Sequence, residues 1–167
     1  IIDPAPYRGM NGNVNRRKYE VACFLSHIKC FDAIDEDAND GYSIIFEDDF
    51  EIQDNYFEGL KKGLDYLTKN NIDFDMLFLG LHSPENTFIG ENIYKPNCES
   101  YFNCYYTHAY LIPNNKTAKL KKALEFIDDA VDIKMMKLGN EKKLNIYRTI
   151  PDIVNQNSPT TGSIIRD

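Results

Sequence analysis

Apolar residues recur at the helical period in the first third of the chain. They are Val21, Phe24, Leu25, Ile28, Phe31 and Ile34. Residues three and four apart share one face of a helix, so this spacing predicts a single long amphipathic helix. We expect Asn15 to cap its start and Gly41 to end it.

Short unbroken apolar runs alternate with further helical patterns along the rest of the chain. Such runs are typical of strands that are covered on both faces. The predicted strands are Ser43–Phe46, Asp75–Gly80, Ser100–Ile112 and Leu144–Ile150, and the predicted helices are Asp54–Lys69, Pro113–Ile127 and Val131–Leu138. We expect His82–Asn97 to be a loop and the residues after Ile150 to be a polar tail. This order predicts an α/β sandwich with a largely parallel sheet.

Composition narrows the class of protein. A chain of 167 residues with 43% hydrophobic residues is most simply one domain, spanning 1–167, with a real core. A formal net charge of -7 argues against nucleic acid as a partner, because such binding depends on clustered basic residues. No apolar stretch is long enough to span a membrane.

The four cysteines show neither a CxxC pair nor zinc-finger spacing. Cys23 and Cys30 lie two turns apart on the predicted helix, about 10 Å by its rise per residue, which is too far for a disulfide. We interpret all four, with Cys98 and Cys104, as buried thiols of a reducing compartment. Because the first residues do not resemble a signal peptide, we predict a cytoplasmic protein.

Three carboxylates, Glu47, Asp48 and Asp49, follow the predicted strand Ser43–Phe46 without a break. Ligands of open parallel sheets bind beyond the carboxyl ends of the strands, where loops converge. Adjacent carboxylates repel one another unless a cation or hydrogen-bond donors offset their charge, and hard oxygen ligands suit Mg²⁺ or Mn²⁺. From these residues alone, a solvated acidic turn with Asp49 as a cap is an equally good interpretation.

Longer segments place these carboxylates in an ordered pattern. The segments are "EVACFLSHIKCFDAI", "GYSIIFEDDF", "YYTHAYLIPNNKTAKL", "AVDIKMM" and "LNIYRTIPDIVNQ". Together they resemble glycosyltransferase family 25, which includes bacterial lipooligosaccharide and procollagen galactosyltransferases, from Glu20 to about Gln156. The resemblance implies a GT-A-like nucleotide-sugar-binding sandwich, with a mostly parallel central sheet flanked by helices. Family members usually open with an apolar strand that has no counterpart before Pro4, so we expect the first strand to be missing.

The resemblance also implies an activity. A hexose, galactose or glucose, would pass from a UDP-sugar to a hydroxyl group on a glycan or on a hydroxylysine-type protein acceptor. Asp49 would bind Mn²⁺ (or Mg²⁺) directly, and Glu47 or Asp48 would complete the metal shell. Glu47 or Asp48 would otherwise contact the donor. The ion would stabilise the charge that develops on the departing UDP.

Asp132 matches the Val-Asp position of the family, which implies a general base or a group that positions the acceptor hydroxyl. Cap preferences allow a second role, at the start of the helix that follows, and the two roles are compatible.

The remaining candidates for substrate binding come from the same resemblance or from their place in the sheet. They are Ser26, His27, His82, His108 and Gln156. His82 follows the strand Asp75–Gly80 and would share a sheet edge with the carboxylates. A structural role is the ordinary outcome for a histidine beside apolar residues, and both roles stay open for His27 and His108.

Two other functions use the same residues. A relative that keeps the fold without catalysis would serve as a binding or scaffold module. A metal-dependent phosphatase would use the strand-end carboxylates, but no Asp-x-Asp-x-Thr/Val nucleophile motif follows the strand.

Overall fold

The structure is a computed structural model that describes residues 14–37, 39–97 and 104–157. Its elements are α1 (Val14–Asp37), β1 (Tyr42–Phe46), β2 (Phe50–Ile52), α2 (Tyr56–Lys69), β3 (Met76–His82), β4 (Asn86–Gly90), β5 (Ile93–Pro96), β6 (Tyr105–Pro113), a 3₁₀ turn (Asn114–Lys116), α3 (Thr117–Ala123), α4 (Val131–Asn140), β7 (Ile146–Thr149) and β8 (Val154–Gln156). The segment before Pro4 lies outside the described residues, so the expectation of a missing first strand stays a prediction.

A six-stranded sheet forms the centre of the fold, in the order β1-β6-β3-β7-β5-β4. Among its described strands, β3 and β7 pair in parallel and every other neighbouring pair is antiparallel. The prediction of a mostly parallel sheet is therefore wrong, and the protein is a mixed α/β fold around a mainly antiparallel sheet. The prediction failed because β6 lies between β1 and β3 and runs in the opposite direction to both. The apolar pattern within a strand does not show the direction of the strand beside it.

β1, β3 and β7 nevertheless point in the same direction. β1 and β3 both pair antiparallel with β6, and β7 pairs parallel with β3. Phe46 of β1 and Gly80 of β3 both lie opposite Ala109 of β6, so β1 ends level with Gly80, two residues before the end of β3. We call this side of the sheet the carboxyl edge. The carboxyl ends of these three strands therefore share one edge although the sheet is mainly antiparallel, and a ligand site at this edge stays a prediction.

Helices cover both faces of the sheet. On one face, α1, α3 and α4 bury a cluster that includes Phe24 and Phe31, both fully buried, as the helical period predicted. On the other face, α2 and β8 bury a second cluster that includes Leu67 and Val154. Each such buried side chain contributes about 1.5–3 kcal/mol relative to exposure, so these two layers fix where α1 and β8 meet the carboxyl edge.

α2 forms where its apolar spacing predicts, but its start differs from the prediction. Its N-cap is Asn55, whose side chain makes no capping hydrogen bond, and Asp54 lies outside the helix. Phe57 is 82% exposed, while Gly63 and Leu67 are buried. A Cβ on Gly63 would lie 2.9 Å from a methyl group of Ile93, so the helix packs on the sheet through its smallest residue.

Two strand regions were predicted as irregular. The predicted loop His82–Asn97 contains the hairpin β4–β5, in which the Phe88 and Tyr94 rings meet edge to face with centroids 5.2 Å apart. Its turn has Glu91 at φ 53°, a conformation that sequence rules assign to Gly or Asn. The predicted polar tail contains β8, which pairs with β2 from a distant part of the chain.

The cysteines only partly follow their prediction. Cys23 and Cys30 are free thiols, as their spacing required. Cys104 is disulfide-bonded, so the interpretation of four free thiols is wrong, and Cys98 lies outside the described residues. Spacing along a helix excludes a disulfide only between two cysteines of the same helix. It gives no distance between cysteines on separate elements. No helix among the described residues combines the length and the hydropathy that a membrane crossing requires.

Candidate active site

The acidic segment lies where β1 ends at the carboxyl edge. The backbone N–H of Glu47 donates to the carbonyl of His108 at 3.0 Å, which extends the β1–β6 pairing by one residue. The chain then turns and returns as β2, whose Phe50 lies opposite Gln156 of β8. Asp48 and Asp49 therefore occupy the turn between the six-stranded sheet and the β2–β8 ribbon.

Glu47 points toward α1 and is held by three groups. Its Oε1 lies 3.2 Å from Nε2 of His27 and 4.0 Å from Sγ of Cys23, and it also accepts a hydrogen bond from the hydroxyl of Thr107. Its side chain remains 25% exposed. The carboxylate is thus fixed in direction while one part of it faces outward.

The pKa of Glu47 reflects two opposing effects. Burial raises the pKa of this carboxyl group, but hydrogen bonds from His27 and Thr107, together with the electrostatic interaction of the carboxylate with His27 and His108, lower it by more. The net pKa lies below the ordinary value of a glutamate, so Glu47 is an anion at neutral pH.

His27 links this carboxylate to the core. The ring is 3% exposed, and its Nδ1 lies 2.7 Å from the hydroxyl oxygen of Tyr110. Because the Glu47 carboxylate only accepts, Nε2 of His27 bears the proton between them, and the Tyr110 hydroxyl can donate to Nδ1. The arrangement fits a histidine that positions Glu47, and it leaves any direct contact with a donor as a prediction.

Asp49 lies between the turn and β8. Its Oδ2 accepts a hydrogen bond of 2.6 Å from Nε2 of Gln156, and its carbonyl accepts one of 2.7 Å from the N–H of Asn157. The other carboxylate oxygen, Oδ1, is buried without a hydrogen-bond partner, as is Oε1 of Gln156. Two buried oxygen acceptors in neighbouring side chains are costly without a donor or a cation. This orphaned carboxylate oxygen therefore fits a divalent cation, with Asp49 as a direct ligand.

β8 reaches Asp49 because it packs very closely on β3. A Cβ on Gly80 would lie 1.9 Å from the carbonyl oxygen of Val154, so only glycine permits this approach. Nε2 of His108 lies 3.1 Å from the same carbonyl. This contact matches the structural role that was left open for His108 and holds the strand that carries Gln156.

Asp132 lies in the first turn of α4, after the N-cap Ala130. Its Oδ1 accepts a hydrogen bond of 2.8 Å from the N–H of Ile133, so it supports the start of the helix without occupying the cap position. Negative charge in a first turn also interacts favourably with the helix dipole.

The thiol of Cys23 reports which charges surround it. Burial, followed by the nearby carboxylates of Glu47, Asp132, Asp49 and Asp48, raises its pKa to about 12. Asp132 therefore shares one region of negative potential with the acidic segment, although α4 and β1 are far apart in sequence.

Three other candidates are more loosely connected to this region. Ser26 is exposed, and its hydroxyl donates to the carbonyl of Ala22 within α1 at 2.9 Å. Asp48 is exposed in the turn. His82 is exposed at the end of β3, opposite Tyr105, and so lies at the carboxyl edge as its position predicted.

A comparison with known protein families identifies the family of this chain. The sequence profile of glycosyltransferase family 25, described as an LPS biosynthesis protein family, matches residues 17–135. The chain belongs to glycosyltransferase family 25. Membership indicates a glycosyltransferase, with a sugar donor and a glycan acceptor in general terms. No curated protein matches the chain.

Most of the predicted site residues of this family 25 chain fall inside the matched segment. Gln156 lies beyond it, so its link to the site rests on its hydrogen bond with Asp49. The matched segment contains Ser26 and His27 of α1 as well as Asp132 of α4, and the fold brings these residues into one region.

Sequence reasoning missed three residues that touch the site. Thr107 and Tyr110 received no role, and Cys23 was interpreted only as a buried thiol. The β3–β6 register shifts between Gly80–Ala109 and His82–Tyr105, so a simple alternation of faces fails at this point. The adjacent polar residues Thr107 and His108 were a signal in the sequence that this strand contributes to a site. Only the shifted register shows that Thr107 faces Glu47.

Proposed function

We propose that this family 25 chain is a metal-dependent hexosyltransferase. It moves galactose or glucose from a UDP-sugar to a hydroxyl group of a glycan or a hydroxylysine-type protein acceptor. The observation that carries the proposal is the buried Oδ1 of Asp49, an anionic acceptor without a partner at the carboxyl edge. Family membership supplies the class of reaction, and this oxygen supplies the reason to expect a cation.

Asp49 and Glu47 would hold the metal. Mn²⁺ or Mg²⁺, when bound, supplies positive charge that offsets the diphosphate of the donor and of the departing UDP. Glu47 is suited to this role because His27 and Thr107 keep it ionised and fixed in direction. Gln156 holds Oδ2 of Asp49, which leaves Oδ1 directed away from that hydrogen bond.

Asp132 would act on the acceptor. As a carboxylate it takes the proton of the acceptor hydroxyl, whose oxygen bonds to the anomeric carbon as the bond from that carbon to the diphosphate breaks. The proton stays on Asp132, and UDP leaves with the bond's electron pair. The hydrogen bond from Ile133 fixes the carboxylate at the start of α4 and thereby limits its motion.

The exposed residues at the same edge would contact substrate. Asp48, His82 and Ser26 are exposed around the ordered core of the site and are available to hydroxyl groups of the donor. His27 and His108 would act indirectly. His27 would hold Glu47, and His108 would hold β8 through the carbonyl of Val154.

The first test is calorimetric titration of UDP, UDP-galactose and UDP-glucose, each with Mn²⁺ and with a chelator. We expect binding that requires the metal, followed by release of UDP when a hydroxyl acceptor is supplied. Nucleotide binding that is equally strong with Mn²⁺ and with the chelator would contradict the assigned role of Asp49. Absence of nucleotide binding under every condition would favour the non-catalytic binding module instead.

A further inference from the structure

Cys23, His27 and Glu47 form a group of metal-ligating atoms. The Cys23 Sγ, a His27 ring nitrogen and a Glu47 carboxylate oxygen all lie within 4.8 Å of one another. Two residues come from successive turns of one face of α1, and the third comes from the end of β1. The group shares Glu47 with the acidic segment but includes neither Asp48 nor Asp49.

The ligand types differ from those expected for Mn²⁺. A thiolate, an imidazole and one carboxylate suit a borderline-soft cation, and Zn²⁺ is commonly held by such mixed sets with a water in the open position. We propose that this group is a Zn²⁺ site, next to the oxygen site of Asp49 and sharing Glu47 with it, in which Cys23 Sγ, His27 Nε2 and Glu47 Oε1 are the protein ligands.

The distances are close to those of a bound ion. With zinc–ligand bonds of about 2.0–2.3 Å, tetrahedral ligands lie roughly 3.3–3.6 Å apart. His27 Nε2 and Glu47 Oε1 are 3.2 Å apart, and Cys23 Sγ and Glu47 Oε1 are 4.0 Å apart. Side-chain shifts of about 1 Å would therefore bring all three ligands to bonding distance.

The second contact of His27 supports ligation. A metal-bound histidine usually has its other ring nitrogen hydrogen-bonded, and Nδ1 of His27 lies 2.7 Å from the hydroxyl oxygen of Tyr110. A phenolic hydroxyl both donates and accepts. Tyr110 can therefore accept from Nδ1–H when zinc takes the lone pair of Nε2. Thr107 similarly donates to the Glu47 oxygen that would bind the ion.

The local potential favours a cation. Burial and the carboxylates around Cys23 raise the pKa of its thiol to about 12, so the free thiol is protonated and a weak nucleophile at neutral pH. The negative charges that oppose a thiolate attract a divalent cation. On binding, zinc replaces the thiol proton of Cys23, which leaves to solvent, while the single ring proton of His27 moves from Nε2 to Nδ1 and is donated to Tyr110.

The test is a titration with Co²⁺, a spectroscopic substitute for Zn²⁺, followed by displacement with Zn²⁺. It uses the unaltered protein without thiol reductants, which would bind the metal and reduce the disulfide of Cys104. We expect a thiolate-to-cobalt absorption that zinc removes. Cobalt binding without that absorption would overturn the proposal, and this readout needs no variant.

Three single substitutions test whether Cys23 is the thiolate ligand of the metal. Loss of a residue that only hydrogen-bonds to a metal ligand weakens metal binding by roughly 10- to 100-fold. Because Cys23 would be a ligand itself, Cys23→Ser should weaken zinc binding by more than that and should abolish the thiolate absorption. Cys30→Ser removes the other free thiol of α1 and should leave both unchanged. Asp49→Asn should also leave the absorption unchanged, although it would remove the nucleotide-linked Mn²⁺ site of the proposed function. Equal absorption in Cys23→Ser and the unaltered protein would overturn the assignment.

Discussion

Asp75 and Asp49 lie at opposite ends of the strands, and each has one buried carboxylate oxygen, Oδ1, without a hydrogen bond, but the charges around them differ. Asp75 precedes β3, and its side chain is fully buried. Its Oδ2 accepts a hydrogen bond of 2.5 Å from Lys119 and one of 2.7 Å from the N–H of Asn145, and the Lys116 ammonium lies 3.9 Å from Oδ1. The charge of Asp75 is thus offset by two lysines.

Asp49 has no such compensation among the described residues. Its Oδ2 accepts from the neutral amide of Gln156, its Oδ1 has no hydrogen bond, and the N–H of Asn157 bonds to its backbone carbonyl rather than to the carboxylate. Glu47, at the same edge, is offset by His27 and Thr107 but by no lysine or arginine in the described part of the chain. The protein therefore neutralises its acids where α3 joins the sheet and leaves negative potential at the carboxyl edge. The first arrangement serves stability, and the second is the kind that serves ligand binding.

The largest expected effect comes from removing the charge of Asp49. Asp49→Asn keeps the shape of the side chain but removes the anionic oxygen, so metal-dependent turnover should fall by about a thousandfold. Glu51→Gln, an exposed carboxylate of β2, is the matched control and should retain turnover. Turnover and circular dichroism are measured together. If Asp49→Asn turns over normally, the uncompensated carboxylate is not a metal ligand.

Removing Asp132 as a base should have the next largest effect. Asp132→Asn retains a side-chain oxygen for the N–H of Ile133, so α4 should still begin at the same residue. We expect kcat to fall roughly a hundredfold while the Kd for UDP-sugar stays close to that of the unaltered protein. A lower melting temperature with normal kcat would instead limit Asp132 to supporting the helix.

Asp75 should matter to stability alone. Asp75→Ala leaves Lys119 and the N–H of Asn145 without their acceptor, and we expect a loss of about 1–3 kcal/mol in the free energy of unfolding. Urea denaturation measures this, and metal-dependent UDP binding in the folded variant should be unchanged. Asp65→Ala, which breaks an exposed pair with Lys61, should cost no more than about 1 kcal/mol. An effect of Asp75→Ala on UDP affinity would remove the distinction between the two edges.

The smallest effect concerns the hydrogen bond from Thr107 to Glu47, and it depends on pH. Because this bond lowers the pKa of Glu47, its stabilisation is present above the ordinary glutamate pKa and is lost as pH falls through the lowered pKa of the folded state. Thr107→Val should therefore cost about 1 kcal/mol at pH 7 and less in acid. Urea denaturation across this range measures the difference.

Thr87→Val is the control for that experiment, since Thr87 is exposed on the edge strand β4. Its effect should be small and independent of pH. A cost of Thr107→Val that persists unchanged into acid would show that the hydroxyl matters through packing rather than through the Glu47 charge.

Local patterns predicted the elements that depend on local spacing. The period that places Phe24 and Phe31 on one face gave α1, and the apolar run that ends at Phe46 gave β1. Residues near one another in sequence determine these features, because a helix face or a buried run is visible within a short window. The family resemblance, which the profile match confirms, likewise rested on ordered short segments.

The sequence by itself therefore determined the family, most of the helices, and the position of three carboxylates at a strand end. Only the tertiary structure decided that β6 lies reversed beside β1, that β8 brings Gln156 to Asp49, and that α1 brings Cys23 and His27 to Glu47. These are pairings between residues far apart in the chain. Their geometry depends on how the faces of the sheet and helices pack together, and no local period records it.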